Sequence, residues 1–165
     1  MLQAVIRKKI NIYKEPIRKA IQKEDTLTSS IFGLLRYLPT EIFWCILTYA
    51  AGEDNLPNYS TCEAIEKTEF WPKWPPEGTN NKSHVEPDVF FRFSKFDLII
   101  EAKRWERTSQ DGGQLSNEIK SYLNNYKDEC KGVKSSLDSF ASHPSATQGF
   151  SAAFYLRTIV SPFSR

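Results

Sequence analysis

Cysteine is scarce and scattered: Cys45, Cys62 and Cys130 form no C-x-x-C pair, and only His84 and His143 could join them. No zinc-ligand spacing results, and three odd thiols fit a reducing cytoplasm better than a disulfide framework. Long apolar runs are missing as well. The most apolar stretch, residues 31–51, is broken by Arg36, Pro39 and Glu41, too interrupted for a membrane span. The opening Met-Leu-Gln-Ala-Val-Ile-Arg-Lys-Lys puts its basic cluster after a very short apolar run, the wrong order for a signal peptide. A cytoplasmic protein without a membrane partner is the expectation. No repeat or low-complexity tract is visible. A large charge of either sign is lacking too, since 22 Lys/Arg face 20 Asp/Glu for a net charge of +2. That excess is too small to establish a nucleic-acid partner. Its distribution is uneven, however, with seven Lys/Arg against the single Glu15 over residues 1–23. Such an arm could contact phosphates, or be a solvated helix face.

The 165 residues, 40% apolar and 25% charged, suit one globular domain with one core. Residues 1–23 read as a basic helical arm with a kink or break at Pro16. A core over 24–160 follows. Its first helix spans 24–36, capped by Thr26 or Thr28, with Leu27, Ile31, Leu34, Leu35 and Leu38 as the buried stripe. Pro39-Thr40-Glu41 starts another helix through Ile42, Phe43, Ile46 and Leu47, stopped by Gly52. Residues 61–70 are a candidate strand, and the Trp71-Pro72-Lys73-Trp74-Pro75-Pro76 segment is irregular, because prolines forbid a regular ladder. A helical segment over 109–130 opens at Gly112-Gly113 and is lined by Leu115, Ile119, Tyr122, Leu123 and Tyr126. Residues 150–160 read as a last strand.

Residues 86–103, Glu-Pro-Asp-Val-Phe-Phe-Arg-Phe-Ser-Lys-Phe-Asp-Leu-Ile-Ile-Glu-Ala-Lys, carry the most information. They read as two strands joined at Ser94-Lys95. With that turn, paired residue numbers sum to 189: Phe93 faces Phe96, Arg92 faces Asp97, and Asp88 faces Glu101. Opposed Cβ atoms stand roughly 5 Å apart, and like charges there repel. Lys103 has the parity of Glu101. A divalent cation between the two carboxylates, with an ammonium beside it, would turn the repulsion into a site. One face should hold Phe91, Phe93, Phe96, Leu98 and Ile100, the other Asp88, Phe90, Arg92, Asp97, Ile99, Glu101 and Lys103. A parity slip between the strands would separate the acids.

Pro87-Asp88, twelve intervening residues and Glu101-Ala102-Lys103 resemble the signature of the PD-(D/E)xK nuclease superfamily, and the order of elements over roughly 20–160 is similar to its restriction-endonuclease-like core. The resemblance implies an α/β fold with an αβββαβ core, a mixed sheet flanked by helices, and extra N-terminal helices here. Members often add a helix after the last strand, so the early end leaves open a truncated or minimal version. The implied activity is hydrolysis of DNA phosphodiester bonds, double-stranded DNA first, with Mg²⁺ or Mn²⁺ as cofactor. Asp88, Glu101 and the Ala102 carbonyl would hold the metal. Glu24 is the candidate third carboxylate, with Asp25 next, though an acid at a helix N-terminus is favourable through the dipole alone. Lys103 would position or deprotonate water and stabilise developing charge. Gln114 resembles a Gln found on the following helix, able to bind a phosphate or orient the water, and a solvent-facing Gln would look the same. Arg104, Trp105 and Arg107 could meet the nucleic acid. The Trp71/Trp74 loop is either a lid over substrate or a cover for the sheet. A homodimer is compatible with this picture. The alternatives are an inactive nucleic-acid-binding or assembly module of the same fold, and an RNA-directed nuclease.

Overall fold

The structure, a computed structural model, describes residues 2–11, 13–14, 16, 19, 23–51, 64–94, 96–104, 112–126 and 152–160. Among the described residues, helices α1 (Leu2–Ile6), α2 (Glu24–Leu35) and α3 (Thr40–Ala51) precede strands β1 (Ile65–Phe70), β2 (Val89–Phe93) and β3 (Phe96–Arg104). Helix α4 (Gly112–Asn125) and strand β4 (Ala152–Val160) complete a mixed α/β architecture. The sheet has the order β1-β2-β3-β4.

The β2–β3 register is the one that the sequence predicts, with Val89 opposite Ile100, Phe90 opposite Ile99, Phe91 opposite Leu98 and Arg92 opposite Asp97. Both faces are covered. Val89, Phe91, Phe93, Leu98 and Ile100 join Phe32, Phe43, Trp44 and Leu47 from α2 and α3. Phe90 and Ile99 lie on the other side with Trp74, Tyr122 and Tyr126. A strand pair buried on both faces explains the nearly continuous apolar runs.

Several expectations are corrected. The sheet is not mixed: all pairings are antiparallel. Ala152 stands opposite Arg104, and Val160 opposite Phe96. The chain therefore re-enters the sheet at the end where β3 leaves it, and runs back. The basic arm is not a helix through residue 23, because α1 ends at Ile6. Lys8 adopts φ 59, and its N–H donates to the Val5 carbonyl while that of Lys9 donates to Ala4. This is a Schellman stop with Lys where Gly is usual. In α2 the N-cap is Lys23, and neither Thr26 nor Thr28 caps the helix, since both are buried within it. Ile31 and Leu35 of the expected stripe pack against the core, but the most buried positions are Thr28, Ser29 and Phe32, and Leu34 is 72% and Leu38 37% exposed. The reason is polar: the Ser29 hydroxyl accepts the Ala4 N–H at 3.1 Å in a buried contact between α1 and α2. In α3, Phe43, Trp44 and Leu47 are buried while Ile42 and Ile46 are exposed.

The Trp-Pro segment covers the sheet. Trp74 forms a bridge with Val85 and packs edge-on against Phe90 and Tyr122. Helix α4 is fastened to this segment by polar side chains one helical turn apart. Ser121 donates to the Pro75 carbonyl at 2.5 Å, and Asn124 to that of Glu77 at 2.6 Å. On the sheet side, Arg92 forks onto Asp97 (Nε to Oδ1 3.0 Å, a terminal nitrogen to Oδ2 2.8 Å), and the Tyr122 hydroxyl donates to Oδ2 at 2.6 Å. The guanidinium also lies 4.4 Å from the Tyr126 ring centre. Asp97 is buried, so removing its donors leaves an uncompensated charge. Tyr122→Phe should lower the unfolding free energy by about 1–2 kcal/mol, and Arg92→Leu by about 3 kcal/mol or more, in urea denaturation. A larger loss for Tyr122→Phe than for Arg92→Leu would show that the ion pair is not what anchors the hairpin.

Candidate active site

The site forms where β1 ends, β2 begins and β3 leaves the paired region. Asp88 stands just before β2 and is 8% exposed. Three N–H groups hold it. The Trp71 main chain donates to the Asp88 carbonyl at 3.0 Å, the Trp71 indole to Oδ1 at 3.1 Å, and the Ala102 main chain to Oδ2 at 2.7 Å. Trp71 makes both of its bonds from a left-handed backbone, φ 48, a conformation that costs a bulky residue free energy and persists only where its surroundings impose it. Burial and the charge of Glu101 push the Asp88 carboxyl up to about 7, against the pull of the Ala102 and Trp71 donors; the charge of Glu24 adds to the rise. The charges of the two predicted acids thus act on each other.

Glu101 is half-buried in β3, and Gln114, from the first turn of α4, donates to its Oε1 at 2.5 Å. Gln114 is thus solvent-exposed and at the same time bonded to one of the acids, which it helps to orient. Ala102 is buried and latches Asp88 through its N–H. Lys103 and Arg104 occupy β3 positions opposite Ala153 and Ala152. Trp105 and Arg107 lie outside the described residues.

Glu24 opens α2, and its charge reaches Asp88. It does not complete a three-carboxylate cluster, however: among the described residues no three His, Cys, Asp or Glu side chains are grouped closely enough to hold a metal ion. Glu24 acts on Asp88 through its charge. Asp25 is raised chiefly by burial, opposed by Lys9 and reinforced by Glu24 and Glu86. The donor set that remains is two carboxylates and the Ala102 carbonyl, all hard oxygens suited to Mg²⁺ or Mn²⁺. A carboxylate has about four lone-pair sites, so the bonds from Trp71 and Ala102 leave Asp88 able to take a cation.

Glu86 and Glu118 have no role in the sequence reading, and Trp71 has one only as part of its loop. Trp71 holds Asp88 through two hydrogen bonds. Glu86 bonds Lys9 and stands 3.7 Å from the His84 ring nitrogen. Glu118 is 1% exposed and lines a cavity of about 430 Å³ with Gln114, Glu86 and His84. Its spacing of four from Gln114 on one helix was the available signal.

No family model matches the chain, and no solved structure matches it. The chain is similar to an uncharacterized protein, PM0110, of Pasteurella multocida (strain Pm70), with 35% identity over 102 residues. Those residues are 60% of this chain and 36% of that protein, so the match spans about a third of the relative's length.

The acid pair sets a pH dependence. Asp88 titrates about pH 7 when folded and near 3.8 as an ordinary aspartate. The folded state holds its proton more tightly, so this contribution to stability is full below about pH 4 and is lost as pH rises through 7. Without divalent cations, the melting temperature should carry a falling component between about pH 4 and 7. Glu101→Gln keeps an acceptor for Gln114 but removes the neighbouring charge, and should shift that fall to lower pH. Trp71→Phe removes an indole donor that favours the ionised form, and should shift it higher. Identical pH profiles in all three proteins would refute this assignment.

Proposed function

We propose that the protein is a metal-dependent nuclease that hydrolyses phosphodiester bonds of DNA, with Asp88, Glu101 and Lys103 as its central residues. One observation carries the reading. Two carboxylates converge beside buried strands, and one is pushed to about 7 by burial and by the other. A purely structural pair would gain by replacing one acid with a neutral side chain. A site for a divalent cation needs both.

Asp88, Glu101 and the Ala102 carbonyl would hold the cation, which when bound supplies positive charge that polarises the phosphoryl group and acidifies water. The protein's own part is positioning. Trp71 and Ala102 fix Asp88, Gln114 fixes Glu101, and neither carboxylate has to reorganise as charge develops. Lys103, two residues beyond Glu101, would stabilise the developing negative charge or take up a proton from the attacking water. Glu24 contributes negative potential, favouring a cation at Asp88.

The absence of a third clustered acid among the described residues favours a second reading, in which the fold binds nucleic acid without cutting it. A two-acid site binds Mg²⁺ weakly and leaves most of its shell to water and substrate, which is usual for this ion. Cleavage distinguishes the two. With millimolar Mg²⁺ or Mn²⁺, the purified protein should cut plasmid or linear duplex DNA in preference to single-stranded DNA or RNA. Lys103→Ala should slow cleavage by about 10²-fold or more, and Asp88→Ala and Glu101→Ala should abolish it, Glu101→Ala without lowering metal-free stability at pH 8. Binding of all four substrates without cleavage of any would favour the non-catalytic module.

A further inference from the structure

Trp71 also lines a second cavity, of about 530 Å³, whose charge is opposite to that of the first. Arg7, Lys9, Lys67 and Lys73 line it against Glu69 and Glu86, an excess of two positive charges that equals the net charge of the whole chain. The cations come from three separate parts of the fold: the Schellman turn after α1, strand β1 and the Trp-Pro segment. Lys9 bonds Glu86 and sits 5.5 Å from the Trp71 ring centre, and Lys67 pairs with Glu69 at 3.0 Å. Arg7 and Lys73 are exposed. By contrast, the cavity at Gln114 is lined by Glu86 and Glu118 and has no Lys or Arg. Glu86 lines both, so a region that repels anions and a region that attracts them meet at the candidate site.

We infer that the basic cavity binds a backbone phosphate of the DNA strand, next to the bond presented to Asp88 and Glu101. A concave basic surface concentrates polyanions, and a phosphate there would be bound without entering the acidic side. The substrate's charge would thus be gripped away from the carboxylates, which by themselves repel it. This inference rests on the nuclease reading for the identity of the ligand.

The test is duplex oligonucleotide binding, followed by fluorescence anisotropy in EDTA so that no cleavage occurs, across a range of salt concentrations. Each neutralised phosphate contributes about −0.9 to the slope of log affinity against log salt. Arg7→Ala/Lys73→Ala should weaken binding and flatten that slope by about 1–2. Lys14→Ala/Lys19→Ala removes two exposed charges outside the cavity and should leave the slope unchanged. Equal flattening in both double variants, no change in the cavity variant, or no binding by the unaltered protein would overturn the inference. A flattened slope confined to the cavity variant supports it even if Mg²⁺ and Mn²⁺ yield no cleavage, an outcome that would refute only the hydrolase reading. Cleavage by a protein whose cavity variant keeps its slope would do the reverse.

Discussion

Trp71 and Ala102 together direct three N–H groups at Asp88, and the arrangement around the site depends on that convergence. It joins the end of β1, the start of β2 and the far part of β3 at one buried carboxylate. Such a group is costly to bury as an ion, and its donors offset the cost only in part, since its carboxyl still rises to about 7. The strained backbone of Trp71 belongs to the same balance. A left-handed tryptophan is unfavourable alone, but here it lets one residue donate from both main chain and side chain. Packing of the indole among the buried residues of the helical layer then transmits the stability of the core to the position of Asp88.

The two layers around the sheet differ in character. On the α2–α3 side, apolar contacts predominate, with Phe43 edge-on to Phe91 at 5.0 Å. On the α4 side, aromatic rings surround a polar network: Arg92, Asp97 and Tyr122 tie the hairpin to the helix, and Ser121 and Asn124 tie the helix to the Trp-Pro segment. Hydrogen bonds are directional where apolar packing is not, so this side fixes the rotation and axial position of α4. Gln114 inherits that precision, two turns before Tyr122, and delivers it to Glu101.

Much of the hairpin was legible in the sequence, because alternation, the central turn and an Arg92–Asp97 pair all demand the same register. The meeting of Asp88 with Glu101 follows from that register by counting. Other features left no such mark. The stop after α1 uses Lys8 in place of a glycine, so nothing in residue type announces it. The buried face of α2 is set by Ser29 meeting the Ala4 N–H, a tertiary bond that no apolar periodicity encodes. The same holds for α4, whose buried Asn117 and Ser121 look solvent-facing in sequence. The direction of β4 was inferred from the family resemblance, and a long connection is compatible with either sense. The sequence places Glu24 at the start of a helix, and its charge does reach Asp88, but helical periodicity carries no distance from that helix to the sheet.

The direction of β4 leaves the candidate chemistry untouched, since Asp88, Glu101, Trp71, Ala102 and Gln114 all come from β1, the β2–β3 hairpin and α4. What the chemistry does require is the hairpin register, and apolar burial alone cannot secure it. A one-residue slip of one strand would exchange its residues between two covered faces that are both apolar, so the usual penalty for exposing a hydrophobic face is weak here. The polar residues decide instead. A slip of β2 would carry Arg92 toward the layer of Phe32 and Phe43, separate it from Asp97, and withdraw Asp88 from the Ala102 N–H. Each of these leaves a charge buried and unsatisfied, at a cost of several kcal/mol. The Arg92–Asp97 pair near the turn and the Asp88–Ala102 latch at the other end therefore act as pins at the two ends of one ladder. The buried acid that the proposed reaction needs is also one of the two features that keep the strands in register.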